Sequence, residues 1–167
     1  MRFSVQREAL LRPLQQVVGV VERRQTLPVL ANVLIRVEAE SASFTATDLE
    51  VELSSRMAVD GAEAGEVTVP ARKLFDIVKA LPEGSKIELK QEGERVKLSS
   101  GRSRYTLATL SASEFPATES GDVQDRIEID QGTFKKLLER SAFAMAVQDV
   151  RYYLNGLLVE VRSNGLR

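Results

Sequence analysis

The 167-residue chain contains neither cysteine nor histidine, so thiolate nucleophiles, disulfides, cysteine-based metal sites and imidazole proton transfer have no side chain to carry them. Carboxylates, hydroxyls and cations remain. Asp48, Glu50 and Glu52 alternate; on an extended strand they would form one row suited to a divalent cation, whereas a turn near Asp48 would break it. Ser99, Ser100 and Ser103 have no histidine to complete a serine triad. A lysine-activated serine or a carboxylate pair stays compatible with the composition, but neither shows a diagnostic spacing. Gly101-Arg-Ser-Arg104 lacks the GKS or GKT of a phosphate-cradling loop and reads as a hairpin turn. No catalytic residue, metal site or cofactor is expected.

Two other constellations suit contact rather than reaction. Arg23-Arg24 stands before Thr26-Leu-Pro28, where two guanidinium groups can reach phosphates or simply keep a turn solvated. The run Gln148-Asp-Val-Arg-Tyr-Tyr-Leu-Asn-Gly156 is the richest polar and aromatic cluster. Arg151 can pair with phosphate or with Asp149, and Tyr152 and Tyr153 can cover a nucleic-acid backbone or stack on bases. The alternative is that one tyrosine enters the core and the other edges a sheet, with Asn155-Gly156 leading into a strand from Leu157.

Lys and Arg number 23 against 24 Asp and Glu, so the net charge attracts no polyanion and its distribution matters more. Residues 1–24 carry five basic and two acidic side chains, 25–71 two and eight, 72–110 nine and five, and 111–167 seven and nine. No apolar run approaches the roughly 20 residues of a membrane helix, which makes the cytoplasm the expected location.

With 43% hydrophobic residues, the chain can bury a core. Phe3 to Val5 alternates as a strand, and Leu10, Leu11, Leu14, Val17, Val18 and Val21 mark one helical face, with Pro13 expected in an early turn. Strands are predicted near 33–37, 43–47 and 51–59. Val67 and Val69, then Leu74, Phe75, Val78 and Leu81, repeat the opening, with Pro70-Ala71 at the helix start. Further strands are predicted at 86–90, 95–99 and 103–108. The pattern is βαβββ written twice, an α+β fold with two helices packed on antiparallel sheets. The wet helical stripes hold Glu8, Arg12 and Gln15, then Arg72, Asp76 and Lys79. They can meet phosphates or only solvent.

Residues 111–125 have little periodicity and read as a linker. Beyond them, a shift of 124 residues places Phe3, Val5, Leu10, Leu14, Val18, Leu30, Leu34 and Val37 over Ile127, Ile129, Phe134, Leu138, Ala142, Leu154, Leu158 and Val161. A third helix would present Lys135, Lys136, Glu139 and Arg140. By Arg167 this second copy has only its first strand, helix and one further strand, which predicts a longer protein whose remainder completes it.

Thr26-Leu-Pro-Val-Leu-Ala-Asn32, Thr47-Asp-Leu-Glu50, Val69-Pro-Ala-Arg-Lys73, Ser99-Ser-Gly-Arg-Ser-Arg104 and the 148–156 run together resemble the bacterial DNA polymerase III beta subunits, the sliding clamps. The resemblance spans essentially the whole chain. It implies a DNA clamp fold, with residues 1–120 as a first clamp domain, 121–125 as linker and 126–167 as the start of a second. It further implies a ring of two subunits, each with three domains, that encircles duplex DNA without sequence specificity, tethers DNA polymerases and has a clamp loader among its partners, without catalysis. By position, Arg24, Gln148, Tyr152 and Tyr153, with Arg72, would face DNA. Lys73, Ile77, Leu81, Arg102, Arg104, Tyr105 and Leu107 would meet another subunit, and Leu154 would wall a groove for partner peptides. Val147 stands where relatives can carry a polar residue. The 167 residues alone are expected neither to close a ring nor to bind such peptides well. The alternative is a repeated-domain scaffold that binds proteins and no DNA.

Overall fold

Alternating side chains become strands, and the two apolar stripes become helices, in a computed structural model that describes residues 1–21, 27–116, 126–162 and 165–167. The chain divides into two units, Met1–Glu119 and Ser120–Arg167. In the first, β1 (Arg2–Gln6), α1 (Arg7–Val17), β2 (Asn32–Val37), β3 (Ser41–Thr47) and β4 (Glu52–Ala58) are followed by β5 (Gly65–Pro70), α2 (Ala71–Ala80), β6 (Lys86–Glu92), β7 (Arg95–Ser100) and β8 (Ser103–Ala108). This is the predicted double βαβββ.

The two halves exchange their first strands. One antiparallel sheet runs β1-β6-β7-β8 and the other β4-β3-β2-β5, so each joins three strands of one half to the opening strand of the other. Phe3 faces Leu89 across the first sheet, and Val33 faces Val69 across the second. Neither half can bury its apolar face without the other's strand. A buried polar contact joins β2 to β5, Asn32 Nδ2 donating to Thr68 Oγ1 at 2.9 Å, and Thr68 Oγ1 donates in turn to the carbonyl of Leu110, just past β8, at 2.9 Å. The hairpins β6–β7 and β7–β8 close on Gly93 and Gly101, whose φ values of 58° and 53° are left-handed and suit glycine.

Helix α1 lies over β3 and β4, and α2 over β2 and β5. Their stripes, Leu10, Leu14 and Val17 with Leu74 and Val78, join Phe3, Phe44, Ile87, Leu89 and Leu98 in one core. Pro13 departs from expectation. It is buried in mid-helix rather than in an early turn, because the helix begins at Arg7, earlier than its apolar stripe. The missing N–H leaves the Ala9 carbonyl without its helical donor, while the proline ring adds to the buried face.

The carboxylate row does not form. Asp48 Oδ1 accepts from the N–H groups of Glu50 and Val51 at 3.0 and 2.7 Å, and Thr47 Oγ1 accepts from Leu49 N–H at 3.0 Å. Leu49 takes a left-handed φ of 80°, so the chain turns there and β4 begins only at Glu52. Among the described residues no group of three or more acidic side chains is placed to hold a metal ion. The linker reading also needs correction at its start: Ser111 caps a short 3-10 turn, Ala112–Glu114, and Phe115 is buried with Val29 and Leu30. Residues 117–125, which include the expected linker, lie outside the described residues.

The second unit contains α3 (Gln131–Ser141) and the short hairpin β9 (Val161–Arg162) and β10 (Gly165–Leu166). Asp130 Oδ1 caps α3 by accepting from Thr133 N–H at 2.8 Å. Adding 124 carries α1 onto α3, and carries the 3-10 turns Val18–Val20 and Pro28–Ala31 onto Ala142–Ala144 and Tyr152–Asn155. It also carries the pair Val37↔Ala42 onto Val161↔Leu166. Residues 126–130 and 157–160, expected as strands, are not strands. Their counterparts β1 and β2 are held by β6 and β5, for which this chain has no residues at the matching positions.

Candidate nucleic-acid interface

Two arginines fix the helix pair of the first unit. Arg7, which starts α1, donates through Nε and Nη2 to the carbonyls of Val78 and Lys79 at 3.2 and 2.9 Å. These are among the last carbonyls of α2, and a guanidinium both satisfies them and complements the negative helix end. Arg72, in the first turn of α2, donates through Nε at 3.1 Å and through Nη2 to the carbonyl of Val21, just past the end of α1. The helices are therefore neighbours running in opposite directions. Their exposed stripes hold Glu8, Arg12 and Gln15, then Arg72, Asp76 and Lys79. Lys79 Nζ sits 5.8 Å from the Phe75 ring centre. Charges of both signs make this a weakly attractive surface.

In the second unit, the 148–156 run folds into a clasped loop. Asn155 reads Asp149 on both sides of its backbone, accepting from Asp149 N–H at 3.0 Å and donating to its carbonyl at 3.1 Å. Asp149 in turn accepts from Arg151 backbone N–H at 2.9 Å and from Arg151 Nε and Nη2 at 3.0 Å each. The Arg151 side chain beside it holds the Asp149 carboxyl below the usual aspartate range, and Asp149 raises Arg151. Arg151 thus pairs with Asp149, one of the two partners open to it.

The clasp leaves Gln148 exposed with a left-handed φ of 57°. Tyr152 and Tyr153 are 83% and 69% exposed, so neither enters a core, and their rings meet edge to face at 6.4 Å. Leu154 is 36% exposed, and its carbonyl accepts from Ala146 N–H at 3.0 Å. Gln148 lies 124 positions after Arg24, so these two expected DNA-facing residues are equivalents in the repeat. Arg24 itself lies outside the described residues. The sequence reading missed the roles of Arg7 and Asn155; the register was the available signal that 148–156 repeats the turn around Pro28.

The expected seam residues divide by burial. Lys73, Arg102 and Arg104 are exposed, and Arg104 Nη1 donates to the Gly101 and Ser103 carbonyls at 2.7 and 2.8 Å. Ile77 and Tyr105 are half-buried against the core. Leu81 and Leu107 are core residues, 6% and 2% exposed, and offer almost no side-chain surface to a partner. The cause is alternation along β8, which turns Leu107 inward, and the position of Leu81 at the end of α2, where it closes the core.

An antiparallel helix pair over two strand-exchanged sheets, with its first helix and the turns repeated at 124 residues, defines an α+β protein of the DNA clamp fold. The chain belongs to the DNA polymerase III beta subunit family, whose N-terminal domain model matches residues 1–119. It is 55% identical to the beta sliding clamp of Pseudomonas putida, a match covering 100% of this chain and 46% of that protein. It is 49% identical to the beta sliding clamp of Escherichia coli K12, with the same coverage. The crystal structure of the DNA polymerase III subunit beta of Pseudomonas aeruginosa superposes with a TM-score of 0.95 at 54% identity, over 99% of this chain and 45% of that one. The Caulobacter crescentus pol III beta structure gives 0.92 at 38% identity, with equal coverage. The chain thus spans about half the length of the relatives it matches.

Proposed function

We propose that this chain is part of a sliding clamp that encircles duplex DNA and tethers the replicative polymerase, a processivity factor without catalysis. The carrying observation is the neighbouring helix pair with both polar stripes outward, the bounds of its first member reproduced 124 residues on by α3. Repetition of such pairs around a ring would line a passage, where phosphate attraction recurs at every step and opposes no sliding. Mixed charge on the stripes suits that weak contact. Arg24, Gln148, Tyr152 and Tyr153 would touch the backbone. Arg72 would act there as well, holding Val21 in place while its outer edge meets DNA.

The seam with a second subunit would use the exposed Lys73 of α2 and Arg102 and Arg104 at the start of β8, with the half-buried Ile77 and Tyr105. Clamp loader and polymerase peptides would meet Leu154 in a groove completed by residues that this chain does not supply. The site of action would be the cytoplasm; among the described residues no helix is long and apolar enough to cross a membrane.

The test is a duplex titration at two salt concentrations, using a subunit of the relatives' length that carries these residues. Arg24→Ala with Gln148→Ala is expected to weaken DNA association and loading. Unchanged salt-dependent binding would refute the assigned contacts, and absence of duplex binding in the parent would favour a protein-interaction scaffold.

A further inference from the structure

In the β1-β6-β7-β8 sheet, the residues that alternate with the core project from the opposite face. The register sets Arg2 against Lys90 and Lys90 against Lys97, so three basic residues occupy directly opposed positions on three neighbouring strands, with Cβ atoms about 5 Å apart. Like charges directly opposed destabilise a sheet. Compensation is partial. Glu88 Oε1 accepts from Arg2 Nε at 2.6 Å, and Glu92 meets Lys90 and Lys97 at 3.0 and 2.5 Å. Lys86, Arg95 and Arg104 stand on the same face and form no ion pair among the described residues. A depression of about 420 Å³ opens on this face between Arg2, Lys86, Glu88 and Arg104.

The remaining outward positions narrow the partner. They are Ser4 and Gln6 on β1, Ser99 on β7, and Thr106 and Ala108 on β8. No large apolar side chain is available to anchor a folded protein or enter a lipid surface, and no aromatic ring is available to stack a base. What the face complements is regularly repeated negative charge, met without reading bases.

We propose that the outer face of this sheet binds the sugar-phosphate backbone of duplex nucleic acid, at a site separate from the helix pair. The proposal stands whether or not the helical face contacts DNA. Lys90 and Lys97 form its centre, and Lys86 and Arg95 extend it along β6 and β7.

The 167-residue protein is titrated with a fluorescent mixed-sequence duplex over a salt series, together with the double variants Lys90→Gln/Lys97→Gln and Lys86→Gln/Arg95→Gln. Removing opposed cations should preserve the fold, which thermal melting checks, and amide-shift mapping on the parent provides a readout independent of the variants. Each double variant is expected to weaken duplex binding about tenfold or more and to make the log affinity against log salt slope shallower by about 2. In the parent, the duplex should shift amides of β6 and β7. Unchanged affinity and slope in both variants would overturn the proposal, as would shifts confined to α1, α2 or the 148–156 loop. Binding of polyglutamate with the same variant sensitivity, and no binding of duplex, would overturn it in favour of an acidic protein partner.

Discussion

Glu88 shows how a surface charge here is set by its neighbours. The hydrogen bond and charge of Arg2 hold its carboxyl below the ordinary glutamate value, and Lys97 with Lys90 does the same for Glu92. A carboxyl whose folded pKa lies below its unfolded one adds stability that is complete above the unfolded value and is lost as pH falls through the folded one. Carboxylate titration followed by NMR is therefore expected to place Glu88 below ordinary glutamates, and Arg2→Ala to move it back up. A Glu88 midpoint indifferent to Arg2 would contradict the pairing. Such contacts were only partly legible beforehand. Asp149 and Arg151 were recognisable partners two residues apart, but Arg7 is separated by most of the domain from the α2 carbonyls it reaches, and no local pattern announces that meeting.

Element order was legible because alternation and helical stripes are local signals, and both βαβββ halves carry them. Exchange of the first strands was not, since register between β1 and β6 is set by contacts distant in sequence. Positions matched by resemblance alone carry no information about burial, and an expected interface position can coincide with an inward one. Leu81 and Leu107 are such positions, and their expected behaviour follows. Leu107→Ala should lower the unfolding free energy of the first unit by about 2–5 kcal/mol, as core truncations do, whereas Lys73→Ala, an exposed change, should stay within about 0.5 kcal/mol. Urea titration distinguishes them. Equal, small effects would place Leu107 on a surface rather than in the core.

The first unit closes a core between two sheets and two helices, while the second repeats the opening of that design with none of its described residues buried. A short helix whose apolar face, Phe134, Leu137 and Leu138, stays more than a third exposed gains little beyond its own hydrogen bonds. Amide exchange should accordingly be fast along Gln131–Ser141 and slow in β2, β6 and β7; strong protection of α3 in the 167-residue protein would show that its Phe134, Leu137 and Leu138 face is covered. The 124-residue repeat was readable from apolar positions alone, and the structure extends it to helix ends, turns and a strand pair. The missing strands at 126–130 and 157–160 were beyond that reading, because a strand needs a partner as well as a pattern. Topological confinement is tested most directly by placing a subunit of the relatives' length, carrying this chain, on closed circular duplex and then linearising the DNA. The proposed ring should persist on the circle and slide off the free ends within its sliding time; equal loss from circle and line would contradict enclosure.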